Sequence, residues 1–250
     1  MGQNREELLR AGAVRLESIC LSSTISIDSM DTARISEFLQ PFIKGVSSSR
    51  PATLSELQLK QISTYIDILL KWNARINLTA IREPEEIVIR HFGESLFAAR
   101  LLFPESDDPG NTAHPFVDVG SGSGFPGLPI KIWAPAIHAT LIESNQKKAT
   151  FLREICRSIT LTNINIFSSR ADGFPDGKAC TITLRAVERF ETILPNAIRL
   201  LVPNGRLALL IGEAQVKIAN EIAPQMSWQS PIPIPMSANR VILVGKLSAH

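Results

Sequence analysis

The stretch Phe116-Val-Asp-Val-Gly-Ser-Gly-Ser-Gly-Phe125 constrains this chain more than any other. A short apolar run ends in an acid and then breaks into three glycines at alternate positions, Gly120, Gly122 and Gly124. Glycine has no Cβ, so the backbone can turn sharply and let a ligand approach it closely. In open α/β sheets, ligands bind at the carboxyl ends of strands, which is where such a loop falls. A second apolar run, Thr140-Leu-Ile-Glu143, ends in an acid about 20 residues further on. A carboxylate there accepts both hydroxyl hydrogens of a ribose. Loop and acid together specify a nucleoside-bearing cofactor.

The pattern around this motif is an alternation. Short apolar strands are predicted at 116–119, 139–142, 164–167, 180–184, 207–211 and 240–244, with helices at 146–157, 190–200 and 213–221. Strand–helix alternation predicts a mainly parallel, doubly wound sheet with helices on both faces. Pro231, Pro233 and Pro235 are incompatible with a central strand, so that stretch is an extended edge or a connection. Upstream the period is helical. Thr53-Leu-Ser-Glu56 has the form of a capping box ahead of an amphipathic helix that runs to about Trp72. Pro84 opens another helix, which carries Arg90 and His91 and ends near Leu102. A short helix around Ile35–Leu39 ends at Pro41. The predicted division is a disordered extension at 1–29, a helical cap at 30–110 and a ligand-binding core at 111–250, with Met30 an alternative start.

Two cofactors compete for the loop. Gly122, Gly124 and Gly127 also satisfy the dinucleotide fingerprint, a weak signal when it stands alone. Against it, Pro126 has no N–H to offer a pyrophosphate. Asp118, two residues before the first glycine, repels a pyrophosphate but suits a cationic sulfonium or amino group. The residues favour a methyl donor, S-adenosylmethionine, and leave a nicotinamide-dependent oxidoreductase as the alternative.

Composition narrows the rest. A net charge of +2 neither demands nor excludes nucleic acid. Cys20, Cys156 and Cys180 form no C-x-x-C pair, and His91, His114, His138 and His250 show no ligand spacing, so no metal is expected. The amino terminus lacks the apolar core of a signal peptide, and no apolar run has the length of a membrane span. A cytoplasmic, non-membrane protein is expected.

Several segments together resemble the RsmG (GidB) family of bacterial guanine-N7 methyltransferases acting on small-subunit ribosomal RNA. They are Lys71-Trp-Asn-Ala-Arg-Ile-Asn-Leu-Thr79, Arg90-His-Phe-Gly-Glu-Ser-Leu96, Asp118-Val-Gly-Ser-Gly-Ser-Gly-Phe-Pro-Gly127, Ser169-Arg-Ala-Asp172 and Arg185-Ala-Val187. The resemblance implies a class I S-adenosylmethionine-dependent methyltransferase: a Rossmann-like α/β core with an amino-terminal helical cap. Its reaction would be methyl transfer to N7 of guanine 527 of 16S rRNA, in the standard rRNA numbering. The partner would be that RNA within the small ribosomal subunit, and the enzyme a monomer.

By the same resemblance, Gly120 and Phe125 contact the donor near its methionine and ribose parts, with Asp118, Gly122 and Gly124 completing the loop. Glu143 takes the ribose, and Ala171 and Asp172 flank the adenine. Arg185 sits at the reaction pocket as the candidate catalytic residue and donor contact. Arg90 and His91 are candidates for the substrate side. The chain departs from the family where Glu94 replaces a usual aspartate and Ile211 a usual lysine. Ile211 is expected at the pocket rim, with Arg240 as the substitute cation for RNA. A chain beginning at Met30 is expected to keep its methyl-transfer activity; a well-folded truncation that loses most of it would show that 1–29 belongs to the enzyme.

Overall fold

The computed structural model describes residues 30–44, 53–104, 114–185 and 189–248; the expected extension at 1–29 lies outside them. The strands are β1 (Phe116–Val119), β2 (Ala139–Ile142), β3 (Ile164–Phe167), β4 (Ala179–Arg185), β5 (Leu201–Gly212), β6 (Met226–Trp228), β7 (Ile232–Pro233) and β8 (Arg240–Leu247). They form one sheet in the order β3-β2-β1-β4-β5-β8-β6, with β7 paired to β8. β1 to β5 are mutually parallel, and β8 runs antiparallel to β5, β6 and β7. Strand order reverses between β1 and β4, which opens a crevice at their carboxyl ends. The proline-rich stretch supplies only the short β7, off the main path of the sheet, where a missing N–H is tolerated.

The helices are α1 (Thr32–Ile43), α2 (Glu56–Ile76), α3 (Pro84–Glu86), α4 (Glu94–Leu102), α5 (Gly127–Trp133), α6 (Gln146–Ser158), α7 (Phe190–Arg199) and α8 (Gln215–Ile222), with a π-helical segment at Ile87–Gly93 joining α3 to α4. The cap of α2 corrects the sequence reading. Ser55, not Thr53, is the N-cap, and Gln58 returns the bond: Gln58 N donates to Ser55 Oγ (3.3 Å) and Ser55 N to Gln58 Oε1 (2.8 Å). α1 passes through Pro41 and stops two residues later. Proline in a last turn breaks little of the ladder. α5 was not foreseen, because seven residues with Pro129 inside carry no usable period.

Each sheet face buries its own apolar cluster. On one face Phe116, Leu141, Leu210 and Ile242 pack with α1, α2, α4, α5 and α6, so the cap helices share a single core with the sheet. On the other, Val117, Ile182, Leu209 and Leu243 pack with α7 and α8. Ile211 belongs to this second cluster and is 3% exposed, opposite Val241. It therefore fills core and is not at a pocket rim. Arg240, paired with Gly212 in the ladder, neighbours Ile242 on the cap face. It cannot stand in for a side chain at 211, because alternate strand residues face opposite ways.

The join between α1 and the π-helical segment is tight. A Cβ on Gly93 would fall 2.5–2.7 Å from three atoms of the Phe42 ring, which is fully buried. Gly93→Ala is expected to destabilise the protein by about 1–3 kcal/mol in denaturant unfolding, as overpacked cores do. The same change in a Phe42→Ala background should cost much less, because the clash has gone. Equal costs in both backgrounds would show that the ring does not set the limit.

Candidate functional site

The glycine loop is suspended from the end of β2. Gly120 N and Ser121 N both donate to the Ile142 carbonyl at 3.0 Å. The Glu143 carboxylate then fastens the loop from below, accepting from Gly122 N (2.8 Å) and from Asn145 N (2.7 Å). Gly120, Gly122 and Gly124 have φ of 72°, 57° and 90°, a region that L side chains rarely adopt. At Gly124 space is also short: a Cβ would lie 2.3 Å from the Tyr65 hydroxyl. That hydroxyl, from α2, donates to the Ser123 carbonyl. The Phe125 ring is held between Tyr65 (5.3 Å, stacked) and His91 (4.7 Å, stacked), with Phe92 at its edge. The Arg185 guanidinium also lies over this ring, 6.0 Å from its centroid, and Phe125 is buried.

Asp118 sits beneath the loop, 1% exposed. Thr183, directly across on β4, donates its hydroxyl to Oδ1 at 2.7 Å. Burial raises the carboxyl to about 6, moderated by that hydroxyl. Oδ2 is buried without an aligned hydrogen bond, and the Gly127 backbone N–H beside the carboxylate adds to the moderation. Gly127 is needed beside it, because a Cβ there would come within 2.7 Å of Oδ2. β4 thus alternates Thr181, Thr183 and Arg185 on the cap face with Ile182 and Leu184 on the other.

Arg185 ends that row and reaches into the cap, its side chain 8% exposed. Nη2 donates to the Arg90 carbonyl (2.7 Å), lies 3.2 Å from His91 Nδ1 and pairs with Glu94 Oε2 at 3.1 Å. The Arg90 and His91 carbonyls that Arg185 meets belong to the π-helical segment. Burial lowers Arg185 to about 10, with Glu94 opposing, so it stays cationic at neutral pH. Glu94, 1% exposed, also meets Arg240 Nε (3.1 Å) and Arg90 Nε (3.5 Å). Three guanidiniums surround one carboxylate.

His91 is held neutral. Burial first, then Arg185, lowers it to about 3. Arginine only donates, so Nδ1 is the acceptor and Nε2 carries the hydrogen toward Thr79 Oγ1, 2.8 Å away. Asn73 positions Thr79 by pairing with its backbone in both directions at 2.9 Å, across a turn closed by Asn77 in the left-handed region. Trp72 packs on Phe151 and is core.

The structure brings Arg90, His91, Arg185 and Arg240 to one corner and Asp118, Gly122, Gly124 and Glu143 to the loop beside it. Ala171 and Asp172 form a 3-10 turn after β3, where the Asp172 side chain is 58% exposed and pairs with Arg170. Sequence reasoning missed the parts played by Tyr65, Asn73, Thr183 and Glu94. Signals existed for two of them. Threonines alternate with aliphatic residues along β4, and an acid stands inside an apolar run at Phe92-Gly-Glu-Ser-Leu96.

Comparison with known proteins follows the same line. The family model described as rRNA small subunit methyltransferase G matches residues 58–238. The ribosomal RNA small subunit methyltransferase G of Bacillus subtilis is 34% identical over 177 residues, covering 69% of this chain and 71% of its own. The protein of that name from Halorhodospira halophila is 36% identical over 165 residues, covering 66% and 73%. Among solved structures, a SAM-dependent methyltransferase from Aquifex aeolicus aligns with a TM-score of 0.53 at 14% identity, covering 68% of this chain and 97% of its own. M. jannaschii TYW2 in complex with AdoMet aligns at 0.50 and 14%, covering 63% and 77%. These structural likenesses carry the class I Rossmann-like fold.

His91 is expected to stay neutral from pH 8 down to about 4. Its ordinary value is 6.5 and its folded value about 3, so the unfolded chain takes up the proton first. The stability it contributes is complete above about 6.5 and is lost as pH falls from there toward 3. Imidazole nitrogen shifts followed by NMR should be flat over that range. A midpoint for His91 above 5 would contradict the geometry.

Proposed function

Because the chain belongs to the rRNA small subunit methyltransferase G family, we propose that it transfers a methyl group from S-adenosylmethionine to N7 of guanine 527 of 16S rRNA. The observation that carries this reading is the acidic character of the glycine loop: the buried Asp118 carboxylate with Glu143 beside it. Such a lining repels a pyrophosphate and suits a cationic nucleoside. This argues against the dinucleotide alternative.

The residues fit the donor. Asp118 is assigned to its cationic end, directly or through water. Glu143, although it already accepts two backbone N–H groups, has lone pairs left for a ribose diol. Ala171 and Asp172 are assigned to the adenine, and Gly120, Gly122, Gly124 and Phe125 to the methionine and ribose parts. When bound, S-adenosylmethionine supplies an electrophilic methyl group on a sulfonium. Guanine N7 presents an in-plane lone pair that bears no proton at neutral pH, so the chain has no proton to remove. His91 agrees with that: it is neutral, and both of its nitrogens are engaged. The work left to the protein is positioning at near-attack distance and exclusion of water.

Arg185 is assigned to orienting the base or the donor carboxylate, without proton transfer. Arg90 and Arg240, with side chains 45% and 23% exposed, are assigned to the RNA. We further propose an assembled small subunit as substrate, a monomeric enzyme and a cytoplasmic location. No helix among the described residues is long and apolar enough to cross a membrane.

Incubation with labelled donor and small ribosomal subunits, followed by nucleoside mapping, should yield 7-methylguanosine at a single position; label elsewhere or none would refute the reading. Asp118→Asn should weaken donor binding about 10–150-fold in calorimetric titration, the worth of a charge-assisted contact. Burial lifts the Asp118 carboxyl from its ordinary 3.8 to about 6, so the charge fades as pH falls through 6. Donor affinity of the unchanged protein should drop below that pH, and Asp118→Asn should abolish the slope. A slope that survives in the variant would remove Asp118 from the donor site.

A further inference from the structure

Glu94 is the acid that all three arginines of the cationic corner share, and none of the roles above belongs to it. It stands in the first turn of α4, directly after the π-helical segment. The three arginines around it come from three separate elements: Arg90 from the π-helical segment, Arg185 from the end of β4 and Arg240 from the start of β8. Three guanidiniums at this range repel one another and would separate without an anion among them.

This arrangement is poorly suited to stability alone. A buried carboxylate gives up more hydration than an ion pair returns unless aligned hydrogen bonds complete the geometry. Here both Glu94 oxygens and Nε of Arg240 lack aligned partners, close as the charges are. Ion clusters of this kind, replaced whole by apolar residues, commonly lose no stability. Arg185 has other anchors, the carbonyls of Arg90 and His91 and the Ser95 hydroxyl. Arg90 and Arg240, the more exposed two, have few. Among the described residues, Arg240 otherwise reaches the Leu210 carbonyl at 3.5 Å and Arg90 otherwise reaches Glu86 at 3.8 Å. Glu94 is thus their chief restraint.

We propose that Glu94 is a positioning residue for the RNA side of the site. Its charge holds Arg90 and Arg240 against Arg185 as one edge that grips a backbone phosphate next to the target base. This rests on the reading of the chain as an rRNA methyltransferase. Arginine forks match phosphate oxygens only when their planes are held in place, which is what a shared buried carboxylate does.

Glu94→Gln removes the charge at nearly constant shape, and Glu94→Asp keeps it on a shorter arm. With small ribosomal subunits as substrate, Glu94→Gln should raise KM for subunits about 10–100-fold, while kcat and the Kd for S-adenosylmethionine change less than about threefold. Glu94→Asp should recover most of the loss. A second readout needs no substrate. The Nε–H signals of Arg90 and Arg240, assigned by single arginine-to-lysine substitutions, should lose protection from exchange in Glu94→Gln and keep it in Glu94→Asp. If the unchanged protein fails to methylate subunits, the proposed function falls, and this second readout still decides the role of Glu94. Unchanged KM and arginine exchange in Glu94→Gln, equal losses in the two variants, or a parallel loss of donor affinity would each overturn the assignment. Should Glu94→Gln not fold, Arg185→Met and Arg185→Met/Glu94→Gln replace it. A higher KM in the double variant than in the single supports the proposal. An equal or lower one shows that Glu94 merely neutralises Arg185.

Discussion

The site depends on one joint, where Tyr65 of the cap meets the glycine loop of the core. The tyrosine hydroxyl bonds to the Ser123 carbonyl, its ring lies flat on Phe125, and the missing side chain of Gly124 makes room for it. Tyr65 is fully buried, and burial pushes its hydroxyl well above 10, so it remains a donor at any working pH. Cap and loop therefore behave as one packed body. The conformation of the loop is fixed from two sides, by Glu143 below and by Tyr65 beside it. A loop held this way has little entropy left to lose when a ligand arrives, the usual route to a preorganised site.

Around that joint the protein separates two kinds of electrostatics. Beneath the loop it buries acids, one of them with a raised carboxyl. One strand away it gathers guanidiniums against a single carboxylate. His91 stands between the two regions and is kept uncharged by both burial and Arg185. A neutral ring can stack on Phe125 and hydrogen-bond at both nitrogens without adding to the positive charge of the corner. The division matches a reaction in which a cationic donor and a polyanionic acceptor approach from different sides.

Much of this was legible in the sequence. β1 and β2 lie where the apolar runs put them, because parallel strands buried on both faces read as mostly hydrophobic segments; the edge strand β3 alternates instead, with Asn165 exposed between Ile164 and Ile166. The glycine loop and Glu143 were legible for the same local reason: turn chemistry and a strand-end acid lie within a few residues. What stayed hidden was long-range. Ile211 was expected at a rim and is core, because which face a strand residue takes depends on pairing that no short window reveals. α2 begins at Ser55 because the Gln58 side chain can answer that residue, and Gln58 is itself anchored to the Ile132 carbonyl. The π-helical segment has no sequence period of its own. Its carbonyls are met by Arg185, some ninety residues later. Glu94 was visible as a letter but not as a hub, since its three partners lie on three elements.

Beside the local turn bond from Gly124 N to the Ser121 carbonyl, three bonds that fix the glycine loop cross the chain. Gly122 binds Glu143 across 21 residues, Tyr65 reaches Ser123 across 58, and Asp118 pairs with Thr183 across 65. None of them forms inside a single hairpin or helix. Contacts of this kind repay loop closure only after the strands have docked, so the pocket is among the last features to acquire its shape as the chain folds. A partly folded chain can hold most of its helices and still have nowhere to seat a ligand. Competence to bind is thereby tied to completion of the whole domain.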